Sequence, residues 1–572
     1  MSSRHLHRGV FLTVVGSLAA IGVAACGSSA PPTSTDAGQS SSEAEQQCKD
    51  LAAKAPDAPA SGNDTFVFGA SADPGTLNPF FASDGETFRV ARQMFEGLVG
   101  VAPCTADPAP LLATDWTGSS DGKSYTFTLR DGVTFQDGTP FNAAAVCYDF
   151  NYWNNQPKGP AQSPDVSYYW ISLFKGFADS KTPSIYDSCT PDGTSKVTIN
   201  LTEPFAGFVP AMSLPAFAMQ SPTALQKYGQ VGAGEDPTTS QYGLSHPTGT
   251  GPYEFVSWDH GKSVKLKAYD GYWGDKAKTP NVVIETIADP GARRDALING
   301  EIDGYDLVAP GDLSSLQDQG FQLVNRPPFN ILYLGMNQAQ PPLDNIKVRQ
   351  AIAYAIDKNA VVAQTLPPGS AVADEFVPSN VNGYTTDVTK YPYDPAKAKE
   401  LLKEAGVTNL TLDFNFPTDV SRPYMPSPQD TMNVIRSQLE AVGIKINPVG
   451  DQWDPDYLSK IQNSSNHGLH LLGWTGDYND TDNFLGVFFG AQTKEWGFNN
   501  PQLFKDLAAA RQIPTADQQK PAYEKINQEV MDFLPGIPIA SPVPTLAFAA
   551  SVQGFVPSPV QDEPWNMVVV TS

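Results

Sequence analysis

Between residues 345 and 449 two kinds of text alternate, and that alternation limits the fold more than any other feature of the chain. "NIKVRQAIAYAIDKNAVVAQ" places Val348, Ile352, Ala355 and Ile356 on one helical face. "YDPAKAKELLKEAG" has Asp394 as an N-cap, Pro395 at the first helical position and Gly406 as its stop. "QDTMNVIRSQLEAVG" sets Met432, Ile435, Leu439 and Val442 along one stripe, ends on glycine again, and leads into the strand-like "IKINPV". Helices alternating with strands specify an α/β layer. Upstream, "SYTFTLR" alternates Tyr125, Phe127 and Leu129 with polar residues, the period of a half-buried strand. "KVTINL" and "KSVKLKAYDGYW" read as further strands, "NAAAVCYDFNYWNN" as a helix and "RDGVTFQDGTPF" as a turn-rich connection. "DALINGEIDGYDLV" reads as a helix running into a strand, and the tail "GIPIASPVPTLAFAASVQGFV" returns to proline-punctuated strand text. At 572 residues the chain exceeds what one hydrophobic core organises, so two or more lobes are expected.

Charge narrows the partners. With 37 Lys+Arg against 61 Asp+Glu the net charge is −24, which repels nucleic acid and anionic membrane surfaces and tolerates cationic or zwitterionic ligands. The N-terminus reads as an address. Arg4 and Arg8 precede an apolar run, Val10 to Ala25, too short to span a bilayer comfortably but suited to a secretory signal. It ends in "VAAC", which resembles the bacterial lipobox, so Cys26 is the expected site of lipidation and residues 1–25 the signal peptide; an ordinary cleaved signal is the alternative. Residues 26–63 begin "CGSSAPPTSTDAGQSSSEAEQQ", Ser/Pro/Thr/Gly-rich text expected to behave as a flexible tether. The other cysteines, Cys48, Cys104, Cys147 and Cys189, match no zinc spacing. An exported compartment permits disulfides, and of the three pairings Cys147 with Cys189 and Cys48 with Cys104 is expected, against free buried thiols.

Several chemistries find no motif. A calcium loop starting at Asp477 has Asp482 where glycine is needed and Phe488 where glutamate is needed. "GKS" at 261–263 lacks the earlier glycine of a phosphate loop, and "GTG" at 249–251 lacks the third glycine of a dinucleotide fingerprint. There is no nucleophile elbow and no H-E-x-x-H. His467 and His470 read as solvated loop histidines rather than a metal pair. No cofactor, metal or catalytic group is expected.

Seven stretches in order carry a family resemblance: "LLATDWTGSSDGKSYTFTLRDGVTFQDGTPFNAAAV", "GTGPYEF" with "AYDGYWGDK", "ALINGEIDG", "PPLDNIKVRQAIAYAIDK", "YDPAKAKELLKEAG", "LEAVGIKI" and "GWTGDYNDTDNF". From about residue 64 to about 560 the chain resembles family 5 extracytoplasmic solute-binding proteins, the dipeptide and oligopeptide receptors of ABC importers. The resemblance implies a two-lobed periplasmic-binding-protein-like α/β fold of type II, in the large peptide-binding subclass. Lobe I would span 64–328, with an inserted subdomain over roughly 98–245; lobe II would span 329–540, and 541–572 would return to lobe I. The two crossovers are expected near Pro328–Leu332 and Ile537–Pro542.

The same resemblance assigns residues. The aspartate of "GWTGD", Asp477, would pair with the α-ammonium of a peptide, and the arginine of "VSRPYMPSPQD", Arg422, would clamp its carboxylate. A buried ammonium or carboxylate needs an opposite, hydrogen-bonding charge, and arginine's fork suits a carboxylate. Trp474 and Tyr424 are expected to line side-chain pockets, and Tyr168, Tyr169 and Trp170 of "SYYW" to contribute from the first lobe, each against plain packing. Asp480 and Asp482 are expected to cap a helix or turn. The function implied is reversible capture by a monomer anchored to the outer face of the cytoplasmic membrane through its lipid alone, with delivery to ABC permease subunits and their ATPase. Oligosaccharides or metal chelates such as those of nickel are alternative cargoes on the same scaffold, and an exported hydrolase is the alternative from another class.

Overall fold

The structure, a computed structural model, describes residues 37–54, 62–232 and 234–571; for residues 37–42, 454 and 455 it describes the backbone only. The signal peptide and Cys26 lie outside the described residues.

Alternation becomes strand where one face is covered. In Ser124–Leu129, Tyr125, Phe127 and Leu129 are buried while Ser124, Thr126 and Thr128 stay partly exposed. The strand lies inside a four-stranded antiparallel sheet in the order Ala113–Gly118, Ser124–Leu129, Lys196–Leu201, Tyr186–Asp192. The helix Ala143–Asn154 packs on this sheet, capped by Asn142, whose side chain accepts the Ala145 N–H, and its Cys147 is bonded to Cys189.

Two larger sheets define the lobes. The first has seven strands in the order Gln322–Asn325, Thr545–Phe548, Gly304–Tyr305, Thr65–Ala70, Asn281–Thr286, Ser263–Ala268, Tyr253–Asp259. The second has six, in the order Ala371–Val372, Gly536–Ser541, Asn330–Met336, Leu469–Thr475, Thr411–Pro417, Lys445–Asp451. Parallel pairing of Thr411–Pro417 with both of its neighbours marks the α/β half of this lobe. The helices that cover it begin as the sequence indicates. Asp394 accepts the Lys397 N–H ahead of Pro395–Glu404, and Gly406 and Gly443 end their helices at φ +68 and +96, which glycine adopts without a Cβ clash.

Three expectations need correction. Residues 26–63 are not tether throughout, because Ala37–Ala52 is a helix with Ala44 and Cys48 buried. Its Gln47 donates to the Leu323 carbonyl (3.0 Å) and accepts the Asn325 N–H (2.9 Å), and Cys48 is bonded to Cys104. Its Ala, Glu, Gln and Lys are strong helix formers, and the disulfide and the strand edge supply a docking surface absent from polar text. Ile356 does not extend the face of Val348 and Ile352; the helix Ile346–Ala355 stops there in extended backbone, and Asp357 caps a second helix, Lys358–Thr365. The crossovers fall at 326–329 and 542–544, since Leu332 and Ile537 lie within paired strands of lobe II. The two crossing segments meet where Arg326 N–H donates to the Pro544 carbonyl (2.9 Å).

A buried ionic network anchors the first crossing to lobe I. Arg326 binds Glu563 (2.6 Å) and Asp306 (2.6 Å), and Asp306 also holds Arg89 (2.7 Å), itself paired with Glu86 (2.8 Å). Arg326, Asp306 and Glu563 are each less than 5% exposed at the side chain. Despite burial, the two guanidinium groups hold the Asp306 carboxyl down at about 2.

Candidate functional site

Leu469–Thr475 is the lobe II strand that delivers the site, and the glycines within it and just after it set the approach of aromatic rings. A Cβ on Gly473 would collide with the Tyr424 ring, and one on Gly476 with Phe329. Directly after this strand Asp477 reaches the junction of the lobes. Its Oδ1 accepts the phenol O–H of Tyr169 from lobe I (2.8 Å), and its Oδ2 accepts from Asn483 Nδ2 (3.0 Å). Asn483 in turn accepts the Asp477 backbone N–H (2.8 Å), so the carboxylate is aimed by a short loop closed on itself. Burial pushes the Asp477 carboxyl up to about 6, against the hydrogen bonds from Asn483 and Tyr169 and the positive charge of Arg92. Both of its oxygens are met by neutral donors.

Around Asp477 lies a cavity of about 230 Å³ with walls from both lobes. Tyr168, Tyr169, Ser172 and Leu173 come from the helix Tyr168–Phe174 of lobe I; Tyr478, Asp482, Asn483 and Val487 come from lobe II, as does Arg511 at the end of Pro501–Arg511. Arg511 faces Asp482 (3.5 Å), and Tyr523 O–H donates to Asp482 (3.3 Å). Asp480 caps the short turn Thr481–Asn483 by accepting the Asp482 N–H (2.8 Å). Asp482 departs from its expected capping role, since its carboxylate faces Arg511 and Tyr523 instead.

The structure therefore brings Asp477, Tyr168 and Tyr169 together, and it separates the other expected residues. Trp170 is buried in the subdomain core, stacked on Phe174 at 4.2 Å with its indole N–H on the Gly176 carbonyl, so it faces no cavity. Successive side chains on a helix turn by about 100°, which carries Trp170 away from the side that Tyr168 and Tyr169 present to the cavity. Tyr424 is buried over Gly473, and Trp474 packs edge-on to Phe488 with its indole N–H 3.4 Å from Asn483 Oδ1. Arg422 is outside the cavity wall. Its guanidinium lies 4.3 Å over the Trp453 ring, and its Nε is buried without a hydrogen-bond partner among the described residues. His467 and His470 are not solvated: both are buried, His470 within the strand, 3.3 Å from Glu495. Burial pushes the His467 imidazole down to about 4, which keeps it neutral. Among the described residues no group of three or more His, Cys, Asp or Glu could hold a metal ion.

Asn483 and Arg511 line the same cavity without having been expected as site residues. Asn483 lies within the same "GWTGDYNDTDNF" and is legible as a local polar partner. Arg511 has no local signal, because the carbonyls of Ser172 and Leu173 to which it donates lie 339 and 338 residues away in sequence.

Comparison with known proteins agrees with this architecture. Residues 107–496 match the model of the bacterial extracellular solute-binding proteins, family 5 Middle. The chain is 30% identical over 512 residues to the dipeptide-binding protein of Escherichia coli K12, covering 87% of this chain and 92% of that relative. It is 29% identical to heme-binding protein A of Haemophilus influenzae over 88% of this chain and 92% of that protein. Its fold matches that of the dipeptide-binding protein from Pseudoalteromonas sp. SM9913 in complex with Met-Leu, with a TM-score of 0.73, 25% identity, and coverage of 88% of this chain and 99% of that one. A mixed α/β chain of two lobes with a cavity where they meet, matched over most of its length, belongs to the family 5 bacterial extracellular solute-binding proteins of ABC importers.

Proposed function

We propose that this chain is a peptide receptor, anchored by lipid at Cys26 outside the cytoplasmic membrane, that captures ligands with a free amino terminus for an ABC permease and its ATPase. The observation that carries the reading is Asp477: a carboxylate at the lobe junction, aimed by Asn483 and Tyr169, whose oxygens meet only neutral donors. Such a group lacks a cation, and the α-ammonium of a peptide supplies one. Arg422, which lies outside this cavity with its guanidinium flat on Trp453, is the candidate for the peptide carboxylate. Tyr168 and Tyr169 shape the space beside Asp477, while Trp474 and Tyr424 pack behind it. Ligand contacts from both lobes favour the closed form, because a ligand shifts an equilibrium only by its differential affinity. Likeness to a dipeptide-binding relative and to a structure holding Met-Leu supports peptide as cargo.

Native mass spectrometry of the purified protein with a defined dipeptide mixture, and with heme in a parallel sample, tests this. Retention of dipeptides, with a raised melting temperature, is expected. Retention of heme alone would sink the peptide reading.

A further inference from the structure

Arg511 closes an account that the Tyr168–Phe174 helix leaves open. A helix ends with carbonyls that have no partner inside it. Here Lys175 N–H takes the Ile171 carbonyl (2.9 Å) and Ile185 N–H takes that of Phe174 (2.9 Å). The Ser172 and Leu173 carbonyls remain, and Arg511 Nη2 donates to both, at 3.0 and 3.1 Å, from the opposite lobe. The cation thus sits at the negative end of the helix dipole, where positive charge is favoured. On its own lobe the same guanidinium faces Asp482 (3.5 Å), and it lies 5.5 Å from the Phe205 ring of lobe I. The residues that follow continue the seam: Gln512 donates to Glu203 (3.0 Å), and Pro514 lies against Gly122. Across the cavity Asn479 donates to Asp107 (2.8 Å).

We infer that Arg511 is a positioning residue for closure: Asp482 holds its guanidinium in place on lobe II, and closing delivers it to the two open carbonyls of lobe I beside the ligand cavity. Opening leaves those carbonyls to water and leaves Arg511 with Asp482, so the contact is made only in the closed state and contributes to closure with or without cargo. The inference concerns the same site as the peptide reading and rests on it only for the choice of ligand in the binding arm of its test.

Small-angle scattering of the ligand-free protein supplies the arm that is independent of ligand. Arg511→Ala is expected to scatter as a more open form than the unmodified chain, with Arg511→Lys intermediate and Gln512→Ala shifted in the same direction. Binding of a dipeptide mixture supplies the other arm. Arg511→Ala is expected to weaken affinity about tenfold through a faster off-rate, the weight of one partly solvated charge-assisted hydrogen bond. The preference for free over N-acetylated peptides, which reads Asp477, is expected to stay unchanged. Identical scattering of the unmodified chain and Arg511→Ala overturns the inference, and so does a free-to-acetylated preference that collapses in Arg511→Ala, which would make Arg511 a direct ligand contact. If dipeptides fail to bind the unmodified chain, the peptide reading falls while scattering still decides the role of Arg511.

Discussion

Replacing Asp477 by asparagine keeps the shape of the side chain and removes its charge. At about 4 Å and an effective dielectric near 20, a carboxylate and an ammonium attract by about 4 kcal/mol. Against this stands the burial of the bare charge, which moves the carboxyl from 3.8 to about 6. At ~1.4 kcal/mol per unit, and discounted for the side of Asp477 that faces the open cavity, that burial costs about 2 kcal/mol in the ligand-free protein. The neutral amide would leave a peptide ammonium buried and unpaired, and losing one partner of such a pair costs about 2–5 kcal/mol, so a weakening of somewhat more than a hundredfold is expected. Isothermal titration with free and N-acetylated dipeptides measures it, and acetylation should cost the unmodified protein nearly as much as the substitution does. Only the ionised carboxylate takes the ammonium, so wild-type affinity should fall about tenfold per pH unit below about 6, while the asparagine variant stays flat. Stability carries the opposite sign. Between pH 4 and 6 the native state holds a proton that the unfolded chain releases, so this group's contribution declines as pH rises through that window. Asp477→Asn should therefore unfold no more easily than wild type at pH 7. Free-dipeptide affinity within threefold of wild type in Asp477→Asn would refute the reasoning.

Three further outcomes follow from single contacts. Arg422→Met, which can keep its packing on Trp453, should weaken free dipeptides by about ten- to a hundredfold and leave C-terminally amidated ones unchanged in the same titrations. Cys48→Ser with Cys104→Ser opens a 56-residue loop and should cost about 4 kcal/mol of stability by chain entropy, read from urea unfolding under oxidising conditions. Arg326→Met strands the buried carboxylate of Glu563 and leaves Asp306 with Arg89 alone, and should cost about 3–5 kcal/mol, whereas replacing Arg326 and Glu563 together with apolar residues of similar volume should recover much of the loss.

What local text can encode, it encodes here. Asp394 and Gly406 bound their helix because capping is settled within four residues, and Tyr125, Phe127 and Leu129 face one core because a strand has period two. Asp477 is singled out by the stretch that also holds its partner Asn483. Other features depend on partners far along the chain. The Ala37–Ala52 helix needs the Gln322–Asn325 strand edge and Cys104 to dock, and the burial of His467 and His470 needs Glu495 and a neighbouring strand. Trp170 faces the core and Tyr169 the cavity because one side of their helix lies against the subdomain while the other meets lobe II. Composition and periodicity decide which residues leave water; only the assembled lobes decide which of them meet, since Arg511 and the Leu173 carbonyl are 338 residues apart and become neighbours only where the two lobes meet.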